Sequence, residues 1–213
     1  MSRYVTTLLL TIFAALTFAC ANPAANKTQA NVSSATQESN TKPAEAETLA
    51  ITPENSKVEF VAAKITRSHN GSFKQFSGKI DLVANHVENS RVSIDIDPSS
   101  VVTDEDQLTA HLKTPDFFDV AKYPKATFVS TKLEPNTTNG ATHIVTGNFE
   151  LHGIRKSISF PGAIRVAPDS VSVNAEFAIN RKDFGLLYPG KADDLIRDGV
   201  VIKLTVKAPR TKR

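Results

Sequence analysis

The sequence predicts an all-β fold of eight antiparallel strands, with a short helix inserted between the third and the fourth. Two observations carry that class. From residue 57 onward apolar and polar residues alternate with period two, the spacing of a strand that buries one face and wets the other. One interruption, from Thr103 to Phe118, has the spacing of a helix followed by a turn. No internal repeat is visible in the 213 residues.

The chain opens on a segment that does not belong to the fold. Residues 1–19 carry Arg3 and then an almost wholly apolar run from Val5 to Phe18, the form of a signal peptide. That run is shorter than the ~20 apolar residues needed to span a bilayer. Cys20, which ends it, is the only cysteine and so has no internal disulfide partner. Its position resembles the lipid-acceptor cysteine of a bacterial lipoprotein, although Thr17-Phe18-Ala19-Cys20 departs from the favoured Leu-Ala-Gly-Cys pattern. The alternative is an ordinary signal peptide cut near Ala19 or Ala21. Both readings export the chain to the periplasm or cell surface. Ala21 rather than Asp follows the cysteine, which in a diderm host points to an outer-membrane anchor.

Residues 20–48 are rich in Asn, Ala, Thr, Gln, Ser and Glu and nearly free of large apolar side chains, which predicts a flexible tether. A coil of that length spans about 30 Å. The globular domain is expected over residues 49–208, followed by a solvated basic tail at 209–213. Without Arg3 the 25 basic residues become 24 against 22 acidic ones, a net charge of +2. That near-neutral balance, with no concentrated basic face, excludes a nucleic-acid footprint.

Strands are expected near 57–65, 72–83 and 91–97, the third from Val92, Ile94 and Ile96 alternating with Ser93, Asp95 and Asp97. Thr103 then serves as N-cap, Asp104, Glu105 and Asp106 fill the first helical turn, and Leu108 and Leu112 share a face. Pro115 stops the helix, and Phe117-Phe118 needs a core to pack on. Five more strands follow near 125–133, 142–151, 154–165, 170–180 and 199–208. His152-Gly153 and Pro168-Asp169 supply tight joints. Eight such strands make either a two-sheet sandwich or a barrel, and periodicity alone does not choose.

Four blocks carry a resemblance to the YceI-like lipid- and polyisoprenoid-binding family, over roughly residues 49–208. They are Gly71-Ser-Phe-Lys-Gln-Phe-Ser-Gly78, the segment His111 to Asp119 with Tyr123-Pro124 and Phe128, Gly147-Asn-Phe-Glu-Leu-His-Gly-Ile-Arg-Lys156, and Asn180-Arg-Lys-Asp-Phe-Gly185. The resemblance implies a lipocalin-like antiparallel barrel whose pore binds a long apolar lipid such as a polyisoprenoid or isoprenoid quinone, with no other cofactor. It implies that Phe60, Phe76, Phe118, Phe128, Phe149, Phe177 and Phe184 line the pore, with His111 and Arg181 at a polar mouth. The chain departs from the family around Ala62 to Asn70, where Lys64 stands near an expected histidine.

No catalytic constellation is visible. The five histidines, His69, His86, His111, His143 and His152, include no pair at metal-ligand spacing, and there is no Gly-x-Ser-x-Gly or phosphate loop. A non-catalytic carrier is therefore the leading expectation. A side-chain-filled barrel serving as an envelope interaction module is the alternative, and an enzyme acting on a lipid head group is the third.

Overall fold

A computed structural model describes residues 22–38 and 45–210. The strands in chain order are β1 (Asn31–Ser34), β2 (Ala46–Ile51), β3 (Ser56–Ala63), β4 (Ser68–Phe73), β5 (Phe76–Val83), β6 (His86–Ile96) and β7 (Val101–Thr103). The helix α1 (Asp106–Leu112) follows. Then come β8 (Ala126–Pro135), β9 (His143–Leu151), β10 (Ile154–Val166), β11 (Ser170–Asn180), β12 (Gly190–Lys191), β13 (Asp194–Leu195) and β14 (Gly199–Pro209).

The main sheet is antiparallel, in the order β2-β5-β6-β8-β9-β10-β11-β14-β3-β4-β7, with β1 added on β10. It is strongly curled, and two chain continuities show why. Only Lys74 and Gln75 separate β4, which pairs with β3, from β5, which pairs with β6. The β6 strand likewise passes through a 3-10 turn at Pro98–Ser100 into β7, which pairs with β4. Backbone bonds from Lys74 N to Ser100 O (3.2 Å) and from Asp97 N to Gln75 O (3.0 Å) stitch the two breaks together. Strands far apart in sheet order are thus joined through short peptides, and the apolar faces turn toward a common interior.

All eight expected spans are strand, but eight is not the hydrogen-bonded count. Six further strands exist: β4 and β7, set off by the two breaks, and the short β1, β2, β12 and β13. The helix lies where it was expected, with Leu112 buried and Phe117 and Phe118 packed in the core. Its N-cap is Glu105 and not Thr103. Thr103 instead ends β7; its N–H donates to Thr109 Oγ1 (2.9 Å) and its hydroxyl donates to Glu105 O (2.8 Å).

Within the expected tether, the described residues 22–38 run along the curled sheet, and β2, which overlaps its end, is an edge strand paired with β5. The β10 and β11 strands pair only between Ala163–Val166 and Val171–Asn174. Beyond that they part, at Pro161-Gly162, where a missing N–H and a missing side chain weaken the ladder. The N-terminal segment fills the gap. Its β1 pairs with Lys156–Ser159, while Ala30 N donates to Ala178 O (2.8 Å) and Ala178 N to Thr28 O (2.9 Å). Further along, Asn148 holds Thr36 through both its amide atoms (2.9 and 2.7 Å). Polar composition hid this strand, because backbone pairing does not depend on apolar side chains. In the expected basic tail, Arg210 is similarly held, to Glu47 Oε2 (2.7 Å) and Ala167 O (3.0 Å). The signal segment, Cys20 and residues 211–213 lie outside the described residues.

Gly71, Gly147 and Gly153 sit beneath the rings of Phe60, Phe128 and Tyr123. Phe60 faces Gly71 across the β3–β4 ladder, and a Cβ on Gly71 would lie 2.1 Å from the Phe60 ring. Gly71→Ala should therefore push that ring off its rotamer and cost about 1–3 kcal/mol. Denaturant unfolding checks this, and a cost below a few tenths would show that the ring moves freely.

Candidate functional site: an apolar lumen

Inward-facing residues of the curled sheet leave two adjoining chambers, of about 80 and 110 Å³. Phe60, Phe73, Phe149, Ile96, Ile179 and Ile202 border both and form the partition between them. The smaller chamber lies deeper, where Phe160 and Phe177 stack with centroids 4.0 Å apart. The larger lies under α1 and the loop that follows β11, against Leu112, Phe117, Phe118, Leu186 and Ile196. Apart from Glu59 in the smaller chamber and Arg181 in the larger, every lining residue is apolar.

Of the residues expected at the pore, Phe60 and Phe149 border both chambers, Phe128 and Phe177 the deeper one, and Phe118 and Arg181 the outer one. Phe76, Phe184 and His111 border neither. Phe76 is buried at the start of β5 and flanks a surface hollow beside Asp97 and Pro124. Phe184 is fully buried in the core, edge-on to Phe149 at 5.1 Å. His111 sits on the outside of the rim, where its Nε2 lies 2.8 Å from Asp116 Oδ2 and its ring meets Phe117 and Tyr188. Phe73, Phe117 and Phe160 also line the chambers; Phe160 was among the strand phenylalanines that could line a tunnel, whereas Phe73 and Phe117 were not singled out as lining. Their signal was present: Phe73 and Phe117 stand in the quoted motifs, and Phe160 shares a face of β10 with Ile158.

Arg181 does not offer its charge to the lumen. Its side chain is only 4% exposed. Nε donates to Arg197 O (3.2 Å), one terminal nitrogen to Leu186 O, and the other to Ile196 O (3.4 Å) and Asp198 Oδ1 (3.3 Å). Burial pulls its pKa below the ordinary arginine range, and the Asp198 carboxylate opposes that shift. The guanidinium fork therefore ties together the two loop segments that carry Leu186 and Ile196 into the outer chamber. Its role is to position the rim.

Several other rim charges are also paired. Lys64 meets Asp194 (3.7 Å), Arg67 meets Glu105 (3.4 Å) and Lys182 meets Asp198 (2.9 Å). The buried His69 ring places Nδ1 2.8 Å from Asp104 Oδ1. Burial of the Asp104 carboxyl works against its charge, but the bonds from His69 and the Asn70 N–H, with the Arg67 charge, prevail and hold its pKa below the usual aspartate range. Such a group favours folding above its unfolded pKa and loses that advantage as pH falls through the folded value. Asp104→Asn should therefore lower Tm at neutral pH, with the gap to wild type closing below about pH 4. Thermal melts across that range check it; a gap independent of pH would remove Asp104 from the acid response.

Comparison with known proteins follows this geometry. A family model, the YceI-like domain, matches residues 49–208. A UPF0312 protein of Pseudomonas putida strain W619 is 32% identical over 127 residues, which is 57% of this chain and 65% of that relative. The match thus covers just under two thirds of the length of such curated relatives. Among solved structures, BcnA of Burkholderia cenocepacia superimposes with a TM-score of 0.65 at 23% identity, over 74% of this chain and 99% of that one. A polyisoprenoid-binding domain from Saccharophagus degradans, implicated in plant cell wall breakdown, gives 0.61 at 18% identity, over 78% and 99%. The Campylobacter jejuni YceI protein gives 0.55 at 26% identity, over 67% and 85%. With the family model spanning nearly all of the curled sheet that encloses this lumen, the chain belongs to the YceI-like family.

Proposed function

We propose that this chain binds a long apolar lipid, a polyisoprenoid, isoprenoid quinone or related molecule, in the lumen and carries it at the bacterial cell envelope without chemistry upon it. The apolar lining is the observation that supports the reading. Burying one isoprene unit gains on the order of 3–4 kcal/mol gross, at ~0.8 kcal/mol per CH₂-sized group. Three or four units would supply micromolar affinity, about 8 kcal/mol, after binding costs. The eight long strand spans act in this reading as one closed lipocalin-like barrel. Export by residues 1–19 and acylation of Cys20 would bring the domain to its lipid source, at the outer membrane if the host is diderm.

The size of the chambers favours a second reading. Each is smaller than the ~150 Å³ dry cavity that accepts a benzene ring. As they stand they suit short groups, and a long chain needs the Phe60, Phe73 and Phe149 partition to swing aside. If that partition does not move, the barrel is filled by its own side chains and the protein is an envelope interaction module.

Native mass spectrometry of the full processed chain, with solvent extraction, separates the two. The expected result is a stoichiometric adduct that extracts as a long-chain apolar molecule. An apo mass unchanged after incubation with prenyl lipids and quinones would overturn the carrier reading and favour the module.

A further inference from the structure

Among the described residues the exposed large apolar side chains are Ile65, Leu187 and Leu195, at 45%, 63% and 44% exposure. All three stand at one end of the curled sheet, Ile65 and Leu187 on loops and Leu195 in the short β13. Ile65, in the β3–β4 turn, donates its N–H to Leu195 O (3.1 Å), and Ile196 N donates to Pro189 O (2.9 Å), which joins the Leu187 loop to the same edge. Leu187 and Leu195 each follow or precede a residue that lines the outer chamber, Leu186 and Ile196. These segments thus send one apolar side chain into the lumen and its neighbour out into solvent. Scattered exposed leucines need no explanation, but three around the end of an apolar lumen form a patch.

A second observation points to what covers it. Ala24, near the first described residue of the N-terminal segment, lies at this same end. Ala24 is buried in a small outer cluster with Val61, Ala178 and Val201, and its Cβ lies 2.9 Å from where a Cβ on Gly199 would stand. Gly199 opens β14, and Val61 is near the end of β3, so this cluster adjoins the rim. Lys27, paired with Glu176 at 3.0 Å, and the β1 ladder fix the segment to the wall. An acyl group on Cys20 would then be tethered two residues from Asn22, at most about 7 Å of extended chain. A membrane anchor there brings this end to the bilayer.

We propose that this end of the barrel docks on a lipid bilayer, with Ile65, Leu187 and Leu195 seated among the interfacial groups and the outer chamber turned toward the acyl chains. The anchor argument rests on the acylated reading of Cys20; the apolar patch does not. The rim charges described above are mutually paired, and the exposed Lys191 and Asp193 between Leu187 and Leu195 carry opposite signs, so the surface suits zwitterionic lipid and the contact should change little with salt.

The chain contains no tryptophan, so a single introduced one reports its own position. Leu187→Trp and Leu195→Trp are compared with Thr137→Trp, in the turn between β8 and β9 at the far end. Each full processed chain is placed on vesicles of brominated phosphatidylcholine. Strong quenching and a blue shift at 187 and 195, with none at 137, is the expected result. Equal or greater quenching at 137, or none at 187 and 195 because a second copy or another protein face covers them, overturns the proposal. The readout is the same whether the protein is held by an acyl chain or added from solution, and the mass of the purified chain tells which. A chain that extracts without lipid yet quenches at 187 and 195 keeps the docking surface while failing the ligand reading.

Discussion

Ala126→Phe should abolish lipid retention while leaving the barrel folded. Ala126 is buried at the start of β8 and borders the outer chamber, opposite Ile96 in the β6 ladder. A phenyl ring added there occupies the space beside Phe118 and Leu186 that a lipid carried as proposed would cross. Overpacking costs about 1–3 kcal/mol, within what a domain of this size tolerates. The copurifying lipid, quantified per mole of protein after extraction, should fall at least tenfold with an unchanged β-sheet circular dichroism spectrum. Undiminished lipid would show that the ligand does not pass the outer chamber.

The second large effect concerns stability. Arg181→Ala removes a buried fork whose partners, the carbonyls of Leu186, Ile196 and Arg197, lose their donors together. Charge-assisted bonds of this kind contribute about 1.5–3 kcal/mol each and do not add fully, so a loss of about 3–5 kcal/mol is expected. At 2–4 °C per kcal/mol for a domain of this length, Tm should drop by roughly 10 °C. Arg181→Lys should rescue little, because an ammonium cannot reach three carbonyls in one plane. A Tm within two or three degrees of wild type, by the same scale, would show that the rim loops hold without it.

The lumen's aromatic character was legible because strand alternation is a local signal. Val171, Val173, Ala175, Phe177 and Ile179 fall on one face whatever the rest of the chain does. Which aromatics border space was not legible. Phe76 and Phe184 are as buried as Phe60, yet they border neither chamber, because the break at Lys74-Gln75 and the turn after Asn180 set their direction. The motif resemblance assigned Arg181 to a polar mouth. Its donors, however, are taken by loop carbonyls that come from residues five to sixteen positions away.

The β1 segment marks the limit most clearly. Asn31-Val-Ser-Ser34 has the composition of a coil, and nothing within it requires a partner. The requirement lies in β10 and β11, which part and leave their backbone groups open, and only the folded sheet creates that gap. The sequence alone determined the strand spans, the inserted helix and the family, because period and motif are properties of neighbouring residues. The tertiary structure decided the curl, the two chambers, the seam filled by the N-terminal segment and the end of the sheet at which Ala24 packs. Those depend on which strands meet across the sheet, and hydrogen bonding between distant backbones leaves no mark on local composition.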